Sequence, residues 1–142
     1  MPSTTLDVPV SWAEDRLTEE QAPIILMVDD DAALRMLFER YLTAFGYSPL
    51  FAADGESAVR VARDTPRIRL IILDVVLPGL SGPKLVAELT ALLPHADLLF
   101  SSGHPANELV RLGIDTRRAQ FMQKPCRPME LKQRLSEMLA AR

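Results

Sequence analysis

Apolar and polar positions fall in blocks along this chain, and the blocks change period. Ile24-Ile25-Leu26-Met27-Val28 is an unbroken apolar run. It is short and mostly β-branched, which predicts a buried strand. Leu34, Leu37, Phe38, Tyr41, Leu42 and Phe45 then recur at the spacing of an amphipathic helix, and Gly46 stands where a C-terminal cap belongs. Pro49 to Ala52 reads as a weaker strand, and Gly55 to Asp64 as a short helix ended by Thr65-Pro66. Leu70-Ile71-Ile72-Leu73 predicts a second deeply buried strand. A loop over Pro78 to Gly82 leads to a helix from Pro83 to Leu93, with proline in its first turn and Pro94 beyond its end. Leu98-Leu99-Phe100 and Gln120 to Gln123 supply two more strands, and Met129 to Ala141 a final helix. Leu109, Val110 and Leu112 give residues 105–118 only a poor helical pattern.

Strands alternating with helices in this way imply an α/β fold, a parallel sheet covered on both faces. Right-handed crossovers leave few topologies, and the doubly wound five-stranded order 2-1-3-4-5 leads them.

The chain has 142 residues, the length of one ordinary domain, and 48% apolar with 25% charged residues is globular composition. No apolar run approaches the ~18 residues of a membrane span, and no basic stretch followed by an apolar one marks a secretory signal. The single cysteine, Cys126, excludes an intrachain disulfide and a cysteine-rich zinc site. A reducing cytoplasm is therefore the expected location. The net charge of −3 gives no electrostatic reason to expect nucleic acid. That charge is concentrated: residues 1–22 hold Asp7, Glu14, Asp15, Glu19 and Glu20 against Arg16 alone. Residues 1–22 therefore read as an acidic extension and 23–142 as the domain. Ser11 and Glu14 have the spacing of a capping box, so the extension is either a short helix with Trp12 and Leu17 as its contacts or a mobile tail.

In an open α/β sheet, ligands bind beyond the carboxyl ends of the strands. Those ends carry Asp29-Asp30-Asp31, Asp74, Ser101-Ser102-Gly103 and Lys124-Pro125. Taken singly, each has a plain reading: Asp30 or Asp31 as a helix cap, Asp74 as a turn residue, Ser102-Gly103 as a turn. Their joint placement on four strand ends says more. Carboxylates ~4 Å apart repel by about 4 kcal/mol per pair at an effective dielectric near 20. A cation is needed among them, and all-oxygen ligation suits Mg²⁺ or Mn²⁺. Such an ion, with a lysine and a hydroxyl opposite, can hold phosphoryl oxygens, leaving Asp74 as a nucleophile toward phosphorus. The set reads as a phosphoryl-transfer site with an aspartyl-phosphate intermediate.

Residues 23–142 resemble the receiver domain of two-component response regulators. The likeness rests on Val28-Asp29-Asp30-Asp31, Leu73 to Gly82, Phe100-Ser101-Ser102-Gly103 and Phe121-Met122-Gln123-Lys124-Pro125, in that order and at those separations. It implies that Asp29 and Asp30 form the metal-binding acidic pair with Asp74, and that the backbone carbonyl of Val76 is a further ligand. Asp74 matches the phosphoacceptor, Ser102 the switch hydroxyl, Phe121 the switch aromatic, and Lys124 the lysine that usually precedes a cis proline. Val76 and His104 match positions that tune phosphoryl lifetime. Leu77 stands where the family usually has methionine, and Cys126 where it usually has an aromatic residue. The resemblance implies a phosphohistidine donor, either a histidine kinase or a histidine phosphotransfer protein. Output is expected through protein partners, with residues 105–142 as the face for any dimer. The chain is expected to catalyse only its own phosphorylation and dephosphorylation, as a stand-alone receiver or part of a hybrid kinase.

Three other readings stay in view. A haloacid-dehalogenase-type phosphatase shares the aspartyl phosphate, and Asp29 and Asp31 have its D-x-D spacing. Its later acidic pair, however, has no counterpart beyond Glu130 and Glu137, which fall inside a helix pattern. A flavin binder needs a phosphate loop where this chain has an Asp triplet. A receiver-shaped interaction module without phosphorylation would not need every chemical residue.

Overall fold

The computed structural model describes residues 22–103 and 120–140. The order is β1 (Ile24–Val28), α1 (Ala32–Ala44), β2 (Ser48–Ala52), α2 (Gly55–Asp64), β3 (Ile68–Asp74), α3 (Gly82–Leu92), β4 (Asp97–Ser102), β5 (Gln120–Gln123) and α4 (Pro128–Ala140). All strand pairs are parallel, in the order β2-β1-β3-β4-β5, which is the expected 2-1-3-4-5. Residues 1–21 of the extension, His104 and the 105–118 segment lie outside the described residues.

Alternation along the strands divides the core in two. On β1, Leu26 and Val28 face the layer built with Ala58, Val59 and Ala62 of α2 and Leu85 and Leu89 of α3. Ile25 and Met27 face Phe38 and Leu42 of α1 and Leu131 and Leu135 of α4. On β3, Ile71 and Leu73 join the first layer and Leu70 and Ile72 the second. Truncating any of the leucines or isoleucines among them to alanine costs about 2–5 kcal/mol.

Local signals fix the corners. Asp31 caps α1, its Oδ1 accepting from the N–H of Ala33 (3.0 Å) and of Leu34 (3.2 Å). Gly46, at φ +95°, turns the chain out of α1 while its N–H bonds the carbonyl of Thr43. Asp54 caps α2 through the N–H of Ser57 at 2.7 Å. β3 and β4 end at Asp74 and Ser102, the strand ends expected, and the departure lies at their starts, with β3 opening at Ile68 and β4 at Asp97. Both strands lie in the interior of the sheet, and Asp74 pairs with Ser101, so each polar strand end is still held in the ladder.

Candidate functional site

At the β1–α1 corner, Asp29 is buried and Asp30 exposed. Every polar group of Asp29 is engaged. Its N–H bonds the carbonyl of Ala52 (3.1 Å), and its Oδ1 accepts from the N–H of Asp31 (2.9 Å). Its carbonyl accepts from the Arg35 guanidinium at 2.7 Å. Its Oδ2 lies 2.9 Å from the Lys124 Nζ. Asp74, at the end of β3, is also buried, and its Oδ1 accepts from the N–H of Val76 at 3.2 Å. Its Oδ2 is 3.4 Å from the same Lys124 ammonium. The lysine thus bridges carboxylates from β1 and β3. It follows β5, where the Lys124-Pro125 bond is cis, and its own N–H bonds the Ser102 carbonyl at 2.7 Å.

Burial pushes the Asp74 carboxyl above its ordinary value, outweighing Lys124 and the Val76 N–H that pull it down, and the charge of Asp29 adds to the rise. For Lys124, burial alone would lower the ammonium. The bond to Asp29 and the charges of Asp74 and Asp29 outweigh that and raise it. The two shifts agree on one physical picture: two carboxylates in a shielded pocket with the Lys124 ammonium between them.

Carboxylate oxygens of Asp29, Asp30 and Asp74 lie within 4.8 Å of one another. Three hard oxygen donors with one of the residues exposed fit a partly hydrated Mg²⁺ or Mn²⁺. Asp31, the third acid of the triplet, is the helix cap instead.

The remaining expected residues lie on neighbouring elements. Ser102 is buried on β4, beside the strand that carries Asp74. Phe121 is half-buried on β5, opposite Phe100, and packs against the α2–α3 layer. Val76 is 56% exposed, just past Asp74. Cys126 packs against the α1–α4 layer, and burial, with Glu130 adding, pushes its thiol up to about 11.

Two residues at this edge carried no chemical reading in the sequence. Arg35 holds the Asp29 carbonyl. Its signal was a basic residue in the first turn of α1, where the helix dipole disfavours a cation and a specific partner is needed to compensate. Glu56 holds the N–H of Leu80 at 3.2 Å, 24 residues away in sequence, and no local pattern announces that contact.

A family model described as the response regulator receiver domain matches residues 25–136. A probable transcriptional regulator, ycf27, of Pyropia yezoensis is 32% identical over 126 residues, covering 85% of this chain and 49% of that protein. Sensor kinase CckA of Brucella abortus (strain 2308) is 29% identical over 138 residues, 94% of this chain and 15% of that one. Among solved structures, the receiver domain from hybrid histidine kinase CckA superposes with a TM-score of 0.70 at 34% identity, covering 82% of this chain and 98% of that one. The Vibrio cholerae chemotaxis protein CheY4 gives 0.73 at 25% identity, with the same coverage of 82% and 98%. The chain spans about half the length of the ycf27 relatives, and far less of the sensor kinase. The match displaces the phosphatase and flavin readings, because it runs through both cores and the whole strand-end cluster. This chain belongs to the response regulator receiver domain family.

Proposed function

We propose that the chain is a phosphoacceptor whose Asp74 takes a phosphoryl group from a phosphohistidine and signals or relays it through protein partners. The observation that carries this reading is the Lys124 ammonium held between Asp29 and Asp74 at the carboxyl edge of the sheet. A carboxylate oxygen of Asp74 attacks phosphorus and the P–N bond breaks. The electron pair goes to the ring nitrogen, which departs as neutral imidazole when the other ring nitrogen is protonated. Lys124 faces the oxygens of the transferring group and Ser102 donates its hydroxyl to another, so developing charge meets donors already in place. Asp29, Asp30 and Asp74, with the Val76 carbonyl, would hold Mg²⁺ or Mn²⁺. That ion supplies charge neutralisation and phosphoryl orientation.

Kinship with a receiver of a hybrid histidine kinase supports the donor class, a histidine kinase or a histidine phosphotransfer protein. Among the described residues no helix is long and apolar enough to cross a membrane, which suits action in the cytoplasm. Acetyl phosphate with Mg²⁺ should add ~80 Da, one phosphoryl group on one carboxylate. Asp74→Asn or EDTA should remove the adduct. Equal labelling of Asp74→Asn at another residue refutes the assignment.

The new phosphoryl group brings up to about two negative charges beside Lys124 and Ser102. Ser102 then moves to meet it and Phe121 follows inward. Saturating beryllofluoride should therefore alter hydrogen exchange in residues 120–130, and Ser102→Ala should blunt the change. Unaltered exchange on that face makes the domain a phosphoryl relay without a conformational switch.

A further inference from the structure

The loop over residues 75–81 joins β3 to α3 and is fastened at both ends. At its start, Asp74 Oδ1 accepts from the N–H of Val76, and the N–H of Val75 bonds the Ser101 carbonyl at 3.2 Å. Val75 and Leu77 are buried on either side of exposed Val76. At its far end the first turn of α2 takes over. Glu56 Oε2 accepts the N–H of Leu80 at 3.2 Å. Gly79, at φ +70°, lies so close that a Cβ there would stand 3.1 Å from both Glu56 carboxylate oxygens. Gly55 backs directly onto Leu80: a Cβ on it would run into the Leu80 carbonyl oxygen. Glycine is needed at 55 for that approach and at 79 for the left-handed backbone.

Glu56 is not required to cap its own helix, because Asp54 already bonds the Ser57 N–H. It is exposed, and its carboxylate reaches a different loop across the site edge. We propose that Glu56 is a positioning residue for the phosphoacceptor loop. It pins Leu80 and Gly79 to α2, holds the Val76 backbone beside the Asp29–Asp30–Asp74 cluster, and so sets how tightly that cluster takes a divalent cation. The pinning stands on the contacts alone, and its consequence for the cation rests on the phosphoacceptor reading above. A loop ordered before the ion arrives loses less freedom when it binds, which tightens binding without any contact between Glu56 and the ion.

The test uses the whole chain and three substitutions. In metal-free protein, amide exchange at Leu80 should accelerate about tenfold in Glu56→Ala and stay near wild type in Glu56→Gln, whose side-chain oxygen still accepts the bond. The dissociation constant for Mn²⁺, read from the electron paramagnetic resonance of the free ion, should rise about two- to tenfold in Glu56→Ala. In Glu56→Gln it should stay within about twofold, because the bond rather than the charge does the positioning. Should Glu56→Ala fail to fold, Glu56→Asp, one methylene too short, takes its place. Unchanged Leu80 exchange in the alanine or aspartate variant overturns the proposal. So does an equal loss of Mn²⁺ affinity in the glutamine and alanine variants, which makes the effect one of distant charge. If wild-type protein takes no phosphoryl group from acetyl phosphate, the phosphoacceptor reading fails while Leu80 exchange and Mn²⁺ affinity still decide the role of Glu56.

Discussion

Asp54 and Asp74 occupy similar corners of the sheet and behave in opposite ways. Asp54 comes just after the edge strand β2 and opens α2, whereas Asp74 ends the central strand β3. At Asp54 the backbone N–H of Ser57, then its hydroxyl, hold the carboxyl below the usual carboxylate range against slight desolvation, with Arg60 adding. At Asp74 burial dominates and lifts the carboxyl despite a lysine and an N–H donor. The residue type is the same, so sheet position decides. An edge strand leaves the group in water, where a helix N-terminus satisfies it. A strand flanked by β1 and β4 strips that water away and leaves the carboxylate dependent on a cation, which is the condition of a functional group rather than a structural one.

The largest test of this contrast removes the cation. Lys124→Ala leaves two buried carboxylates facing each other, and breaking such a pair costs roughly 3 kcal/mol. Urea unfolding of metal-free protein should show that loss, and added Mg²⁺ should stabilise the variant more than the wild type. An unaltered midpoint would mean that water, not the lysine, satisfies the pocket.

A smaller effect of opposite sign is expected from Asp74→Asn. The folded-state value of Asp74 lies above the unfolded one, so ionising it opposes folding. Stability is lost as pH rises from the unfolded value through the raised folded one. Metal-free Asp74→Asn should therefore melt a few degrees above wild type at neutral pH, with the gap closing below the ordinary carboxylate range. A gap of the reverse sign breaks the comparison.

Asp54→Ala gives the smallest effect. It should lower the melting temperature slightly through the lost cap and leave phosphoryl uptake unchanged. Because the Asp54 value is depressed, its contribution is present above the unfolded value and fades as pH falls through the folded one. Impaired phosphoryl uptake in this variant would tie the two corners together.

Much of this was legible in the sequence because it is local or periodic. The apolar run 24–28, the helix 55–64 and the strand 120–123 have the limits that their patterns predict. Gly46 marks its turn, and the strand-end acids and Lys124 converge because topology follows from the alternation of elements. The early starts of β3 and β4 were not legible, since Arg69 and Asp97 interrupt the apolar pattern while Ile68 and Asp97 still pair with the neighbouring strands. Asp31 shows the limit of motif reading: three adjacent acids look alike, and only geometry separates the cap from the two that face Asp74. Arg35 and Glu56 were missed for a related reason. Each bonds a backbone group outside its own helix, and side-chain reach leaves no periodic trace.

The two margins of the sheet also govern what the domain can join. On β2 the N–H of Ser48 points inward to the Pro23 carbonyl, so the next residue, Pro49, faces outward where it has no N–H to offer. On β5 the Arg134 guanidinium occupies the outward Phe121 carbonyl at 3.0 Å and reaches the Gln120 side chain at 3.3 Å. A foreign strand therefore finds a missing donor on one margin and an occupied acceptor on the other. Ribbon-to-ribbon growth, the ordinary hazard of exposed strands, is blunted at both sides.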